Sequence, residues 1–433
     1  MKYFVFPKIN SDAIGRFSFG GQPLTLLMLH NIFKDFGHKD IRFIDENIKN
    51  DWFSISHINE SDYVFISINL FNQDRAIDII TQINKANAKV VIGGPILELS
   101  NGNLEKIGLK KTKKITCITG GWVKIAEYLK NNHGIALKNP IWDNISIYQS
   151  DRISKQLIEN YTIKHKEYSG LAYSENYTNI HSKLGCHYRL KTGGCNFCSR
   201  HFEKFDSICP SSLITLLKKL HSKYNVNFFW DSSDSFFNTN HDLEEYCKAG
   251  LPELPIELLI FSRLNNINDK TAYLLKKCNV RSVIVGVESG SNRILRIAKK
   301  NLTVNQIYRS IDLLNKYEIS VIPSLTIGHP SETIFEIEKT NNLAHNLANN
   351  YLIDGFSCSP IMPIPGSFYF SNFFNDIPIL TLPSLTKLQS LYFSKHVGID
   401  LLTAKKICHE IETIICSKAV GIWGKETNEF HKF

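Results

Sequence analysis

The residues best suited to chemistry in this sequence are three cysteines. Cys186, Cys195 and Cys198 lie in the segment GCHYRLKTGGCNFCSR, Gly185–Arg200, with the pattern C-x8-C-x2-C. Three thiolates on one loop can cap three irons of a 4Fe–4S cluster and leave the fourth iron open to a ligand, which a four-cysteine site cannot do. The pair Gly193-Gly194 lets the intervening backbone curl. The same spacing also admits structural zinc, because His201 follows Cys198 by three positions and would complete a Cys3His set. Ten cysteines in 433 residues are not the framework of a small secreted disulfide protein. A reducing cytoplasm is therefore the expected location. Cys408 and Cys416, eight apart on a helical pattern, read as buried small hydrophobes rather than ligands.

The elements that must position these thiols follow from periodicity. Residues 1–131 alternate short β-branched runs (Tyr3–Phe6, Ile41–Asp45, Tyr63–Ser67, Lys89–Gly94, Ile115–Gly121) with helical patterns at Pro23–Phe36, Asp74–Asn84 and from Trp122. That alternation predicts an α/β unit, a doubly wound, Rossmann-like parallel sheet. Its ligands are expected beyond the strand C-termini, where Ser67, Gly93, Gly94, Gly120 and Gly121 fall. Residues 132–175 read as a connector. From 176 to 370 the alternation resumes, with strand-like runs TNIHS, VNFFWD, IELLIFS, RSVIVGV, SVIPSLTIG and DGFSCSP separated by helical segments. Six βα repeats suffice for a partial, TIM-like (β/α)6 barrel but not for a closed eightfold one. Residues 371–433 read as a helical C-terminal region, with Ala404, Ile407, Ile411, Ile414 and Ile415 on one face.

Composition narrows the partners. Hydrophobic residues make up 43% and charged residues 21%, as in a folded chain without long disorder. The formal net charge is 50 − 41 = +9, and Lys110, Lys111, Lys113 and Lys114 form the densest cluster. We read that cluster as a solvated loop, and no nucleic-acid partner is expected. No apolar run reaches the ~18 residues of a membrane span, and MKYFVFPK is too short for a signal peptide.

Beside these readings stands a resemblance. The cysteine loop follows a strand and opens a βα series, and it resembles the cluster loop of the radical SAM superfamily, C-x3-C-x2-C with an aromatic residue before the last cysteine. Phe197 holds the aromatic position, while the first spacing is eight instead of three, so the loop is expected to bulge. Further segments fall in the family's order. VGVESGSNRIL (Val285–Leu295) resembles its fourth-strand GxESGs segment. FWDSSDSF (Phe229–Phe236) resembles a second-strand FxDDxF, with Asp231 at the barrel top and Asp234 read as an N-cap of the next helix. FSRLNN places Arg263 just past the third strand. PSLTIGHPSET (Pro323–Thr333) and MPIPGSFYF (Met362–Phe370) resemble the G-x-P-x-E-T and PxPGTxxY segments. Over residues 1–130, KVVIGGP and the neighbouring runs resemble the cobalamin-binding domain that precedes many such barrels. They lack the D-x-H-x-x-G segment, and Gly120-Gly121-Trp122 stands where a GEGE-like stretch is usual.

The resemblance implies an enzyme. Cys186, Cys195 and Cys198 would hold a 4Fe–4S cluster whose open iron chelates S-adenosyl-L-methionine. Phe197 would flank the adenine, and Glu288, Ser289, Arg263 and Asp231 would meet polar groups of that cofactor. Cobalamin would sit near Ser67, Gly93 and Gly94. The implied reaction is methylation of an unactivated carbon of a small-molecule or peptide substrate, with flavodoxin or ferredoxin as electron donor. Radical rearrangement or oxidation over a degenerate cobalamin domain is one alternative, and a zinc-stapled binding protein is another.

Overall fold

The computed structural model describes residues 1–9, 23–48, 51–139, 141–150, 177–199, 205–374 and 377–419. These fall into two compact units. One contains residues 1–9, 23–48, 51–139, 141–150, 374 and 377–385, and the other contains 177–199, 205–373 and 386–419.

In the first unit the strands are β1 (Lys2–Phe6), β2 (Ile41–Asp45), β3 (Tyr63–Ser67), β4 (Lys89–Gly93) and β5 (Ile115–Cys117). They form one parallel sheet in the order β2-β1-β3-β4-β5. The helices are α1 (Leu24–Asp35), α2 (Gln73–Lys85), α3 (Pro95–Leu99), α4 (Gly121–His133) and α5 (Ile141–Ser146). Val64, Phe65, Ile66, Val90, Val91 and Ile92 are all buried, as strands covered on both faces require. Residues 141–150, within the segment read as a connector, are instead helical and bury Trp142 and Ile145. Two buried apolar side chains in ten residues were too weak a pattern to announce a packed element. Residues 151–175 lie outside the described residues.

The second unit is built on β6 (Tyr177–Ile180), β9 (Phe228–Asp231), β10 (Glu257–Ser262), β11 (Val280–Glu288), β12 (Ser320–Ile327) and β13 (Ser357–Pro360). These six strands pair in parallel in strict chain order, β6-β9-β10-β11-β12-β13. Each strand therefore neighbours the next, as in an open (β/α)6 barrel. A short antiparallel pair, β7 (Lys183–Leu184) with β8 (Asp206–Ser207), stands apart from that sheet. The helices are α6 (His187–Thr192), α7 (Pro210–Tyr224), α8 (Asn240–Lys248), α9 (Asp269–Lys277), α10 (Asn292–Ile297), α11 (Val304–Lys316) and α12 (Ile334–Asn350). After β13 come α13 (Phe368–Phe373), α14 (Leu382–His396), whose residues 382–385 belong to the first unit, and α15 (Leu401–Glu412). Tyr177, Phe228, Leu259, Ile284 and Ile322, one from each of five adjacent strands, form a single buried apolar cluster.

Two expectations change. Asp234 does not cap a helix, because α8 starts at Asn240 behind Thr239. The C-terminal helix stops at Glu412, so Ile414 and Ile415 leave the apolar face, and Ile415 is 74% exposed. Ala404, Cys408 and Ile411 carry the packing, and Thr413 takes the capping position. The lysine cluster lies in the loop before β5, with Lys110, Lys111 and Lys113 exposed.

The turn at the end of β12 is closely packed. Gly328 has φ +101°, and a Cβ there would collide with the Phe393 ring of α14. Tyr392 Oη donates to the Gly328 carbonyl at 2.8 Å. The buried Glu332 accepts from the N–H groups of Gly328 (2.6 Å) and His329 (3.0 Å) through one carboxylate oxygen. Burial pushes this carboxyl up to about 7, against the two N–H donors that pull it down. The His329 imidazole is driven the other way, to about 3, by burial and then by the Lys300 ammonium.

Gly328→Ala must bring strained backbone and an overpacked contact together. It is expected to destabilise the chain by about 1–3 kcal/mol in urea denaturation. Glu332 gives a pH signature. Its folded value lies above the ordinary 4.5, so the folded state binds more protons between pH 4.5 and 7, and this contribution to stability is lost as pH rises through that window. The stability of Glu332→Gln relative to the parent should therefore climb from pH 4.5 to 7, by up to about 3 kcal/mol. A flat difference would show that the carboxyl is not raised.

Candidate functional site

The cysteine loop is closed at its base. Lys183 and Leu184 pair with Ser207 and Asp206, so the chain leaves and re-enters through one two-stranded ladder. The buried Lys183 Nζ anchors that base on Asp242 at 2.9 Å. From there Cys186 precedes α6 as its N-cap, Gly193 ends the helix at φ +80°, and Gly194 continues at φ +86°. Cys195 and Cys198 then share a turn, with the Cys198 N–H on the Cys195 carbonyl at 3.1 Å. The wide first spacing, expected to bulge, is filled by a helical turn and a Gly-Gly corner.

The far side of the loop is held by the segment after α10. Asn196 donates its backbone N–H to the Ala298 carbonyl (3.0 Å) and its side-chain amide to Ile297 O (2.8 Å), and its own carbonyl accepts from Tyr369 N–H (3.0 Å). Tyr188 Oη donates to Lys299 O at 2.8 Å. Arg189 donates to the Cys198 carbonyl at 2.9 Å. All ten cysteines are free thiols, and the three of the loop are half-buried. Among the described residues no three His, Cys, Asp or Glu side chains converge on a single-ion site, and His201 lies outside those residues.

A set of three free thiols beside a cation suits an anionic iron–sulfur cluster. The cation is Arg263, at the C-terminal end of β10. Its guanidinium lies 3.8 Å above the Tyr188 ring and donates to Cys195 Sγ (3.6 Å), Lys300 O (2.6 Å) and Asn265 Oδ1 (3.4 Å). Expected to meet a cofactor's polar groups, it is here engaged by the cysteine loop and its support.

The other expected site residues occupy the same strand ends. Phe197 is half-buried and packs edge-on against His329, with centroids 5.8 Å apart. Glu288 ends β11 at φ +67°, after an irregularity in the ladder that re-aims its side chain. Its carboxylate accepts from Lys300 Nζ at 2.7 Å and Thr326 Oγ1 at 3.4 Å, and both members of the ion pair are buried. Gly286 makes room for that pair, since a Cβ there would collide with Glu288 Oε1 and Lys300 Nζ. Ser289 is fully buried and bonded to Thr340 Oγ1 (3.1 Å). Asp231 is also fully buried. It accepts from Ser233 N–H at 2.9 Å and from Ser182 N–H at 3.5 Å, and so joins the segments that follow β9 and β6.

Sequence reading missed Asn196, Tyr188, Lys300, Thr326 and His329. Asn196 sat in plain view between Cys195 and Cys198, but its partners Ile297, Ala298 and Tyr369 lie far along the chain.

In the first unit, Ser67 and Gly93 are register partners at the C-terminal edge of the sheet. Gly94, at φ +115°, is explained by packing, since a Cβ would strike the Ile68 backbone. Gly121, at the start of α4, faces open space. The strand order reverses between β1 and β3, where a crevice forms in such sheets.

Comparison with known proteins agrees with this geometry. Residues 184–344, which include all three cysteines, match the radical SAM superfamily. An uncharacterized methyltransferase of Pyrococcus horikoshii is 28% identical over 161 residues, 36% of this chain and 35% of that protein. An uncharacterized protein of Methanocaldococcus jannaschii is 22% identical over 201 residues, 46% of this chain and 36% of its own. The chain thus spans about a third of these curated relatives. Among solved structures, the radical S-adenosylmethionine methyltransferase TsrM of Kitasatospora setae, with tryptophan substrate and a SAM analogue bound, aligns with TM-score 0.60 at 15% identity over 86% of this chain and 76% of that one. The cobalamin-dependent S-adenosylmethionine radical enzyme OxsB, with aqua-cobalamin bound, aligns with TM-score 0.55 at 13% identity over 93% and 57%. Both likenesses concern the fold, sheet unit and open barrel together. With its cysteine loop at the head of the matched segment, the chain matches the radical SAM superfamily over residues 184–344 and shares the fold of TsrM and OxsB.

Proposed function

We propose that the chain is a cobalamin-dependent radical SAM methyltransferase acting on an unactivated carbon of a small molecule or peptide. The observation that carries this reading is the occurrence, in one chain, of a braced three-thiol loop with an open six-strand barrel and of a separate 2-1-3-4-5 parallel sheet. Cys186, Cys195 and Cys198 would each hold one iron, leaving the fourth for the amino and carboxylate groups of SAM. A cluster held there would supply the one-electron reduction of SAM, and a cobalamin, recharged by a second SAM, would supply the transferable methyl group. The protein's task is then positioning and exclusion of water. Phe197 would flank the adenine and is itself held by His329. Glu288 and Ser289 would frame the cofactor's polar end from the tip of β11, with Asp231 fixing the strand ends beside it. Cobalamin would lie at the crevice edge near Ser67, Gly93 and Gly94.

The electron donor would be a flavodoxin or ferredoxin, and the location cytoplasmic, in keeping with ten free thiols. No helix among the described residues is long and apolar enough to cross a membrane. A second reading, radical rearrangement or oxidation without methyl transfer, is favoured by Gly94, whose conformation protein packing alone explains.

Anaerobically reconstituted protein is expected to hold about four irons per chain on the three cysteines. Cys195→Ala or Cys198→Ala should abolish SAM cleavage. A Cys186→Ala variant with full iron content and activity would move the third ligand elsewhere. With methyl-labelled SAM, hydroxocobalamin, a strong reductant and candidate substrates, methyl transfer gives labelled product together with S-adenosylhomocysteine and 5′-deoxyadenosine. Only 5′-deoxyadenosine, indifferent to cobalamin, would establish the second reading.

A further inference from the structure

We propose that Arg263 tunes the reduction potential of the cluster, making it easier to reduce by donating a hydrogen bond to the Cys195 sulfur. The proposal rests on the cluster reading given above. Arg263 is held by three groups of different origin. Its guanidinium stacks on Tyr188 of α6 at 3.8 Å, and Nη2 is shared between Lys300 O at 2.6 Å and Asn265 Oδ1 at 3.4 Å. Lys300 is itself fixed, because its Nζ is bound to the buried Glu288 at 2.7 Å. What remains is Nη1, which donates to Cys195 Sγ at 3.6 Å.

The chemistry follows from charge. Reduction adds one electron to a cluster whose thiolate and sulfide ligands already make it anionic. Hydrogen bonds to the sulfurs and local charge set the potential of such clusters. A cation that donates to one ligand sulfur favours the more negative, reduced state. Arginine suits this place better than lysine. Its planar fork can stack on a ring, bond a carbonyl with one nitrogen and meet the sulfur with another, whereas an ammonium is a single flexible point charge. Anchoring matters equally, because a mobile arginine would turn towards water or pair with the carboxylate of an incoming ligand.

The competing role is the grip on SAM that the sequence suggests. The two roles separate when SAM is absent. A residue that only binds SAM leaves the potential of the SAM-free cluster unchanged and alters the KM for SAM.

The test uses the full chain, reconstituted anaerobically with iron and sulfide, as the parent and as Arg263→Gln, Arg263→Lys and Tyr188→Leu. Iron is counted, and the midpoint potential is read without SAM by redox titration followed by the paramagnetic resonance of the reduced cluster. In Arg263→Gln the ratio of reduced to oxidised cluster at a fixed potential should fall about tenfold, equivalent to 59 mV for a one-electron couple. Arg263→Lys should lie between it and the parent, and Tyr188→Leu, which removes the stacking platform, should shift in the same direction. If Arg263→Gln does not keep iron, the other two variants carry the measurement. Loaded variants with the parent's potential would overturn the role of Arg263 alone. A parent that binds no iron would overturn the cluster reading instead.

Discussion

A three-thiol loop is useful only if its sulfurs stay put, and the bonds from Asn196 to the segment after α10 hold them. One residue gives its backbone N–H, its side-chain amide and its carbonyl to partners at 297, 298 and 369. Free loops rarely hold geometry to fractions of an ångström, and sites that must be pre-organised are braced by rigid neighbours. Here the brace is α10 and the turn leading to α11, which the sheet itself positions through β11. Tyr188 and Arg263 add their bonds to that same turn, at Lys299 O and Lys300 O, and so tie the loop to the barrel wall.

Below that brace lies a buried ion pair. Taking Glu288 and Lys300 out of water is costly, and such pairs are weak evidence of stability in themselves. Their consequence is directional. The pair fixes the Lys300 backbone, whose carbonyl receives Arg263, and it presents Glu288 to Thr326. Thr326 Oγ1 in turn contacts His329 Nε2 at 2.8 Å, and His329 Nδ1 contacts Tyr369 Oη at 3.0 Å. Because burial and the Lys300 charge keep His329 neutral, this chain of polar groups adds no second cation beside Phe197.

The architecture was legible from the sequence because β-branched runs and amphipathic helices alternate without interruption through both units. The five-stranded and six-stranded sheets follow from that alternation, and the thiols were legible because cysteine clusters are rare. Long-range partners were not legible. Nothing local marks Lys300 as the mate of Glu288 twelve residues earlier, or Tyr188 as the platform for Arg263. Pairings made across a helix or between strand ends have no periodicity to betray them. The helix face at 404–415 misled for a related reason. An apolar run can outlast the helix that begins it, and the turn at Thr413 ends the periodic face before Ile414 and Ile415.

The two-stranded ladder beneath the cysteine loop has a consequence for how such chains diverge. Cys186 is tied to that ladder, whereas Cys195 and Cys198 are tied to the α10 side, so the stretch between them bridges two fixed posts. Each added helical turn would carry the far end about 5.4 Å along the helix axis, so α6 and the Gly193-Gly194 corner that turns the chain back must fit that distance together. The interval separating the first two thiols then records the length of this anchored span. A change of that length must leave Tyr188 and Arg189 in place, because the first carries Arg263 and the second bonds the Cys198 carbonyl, so the spacer is itself a working part of the loop.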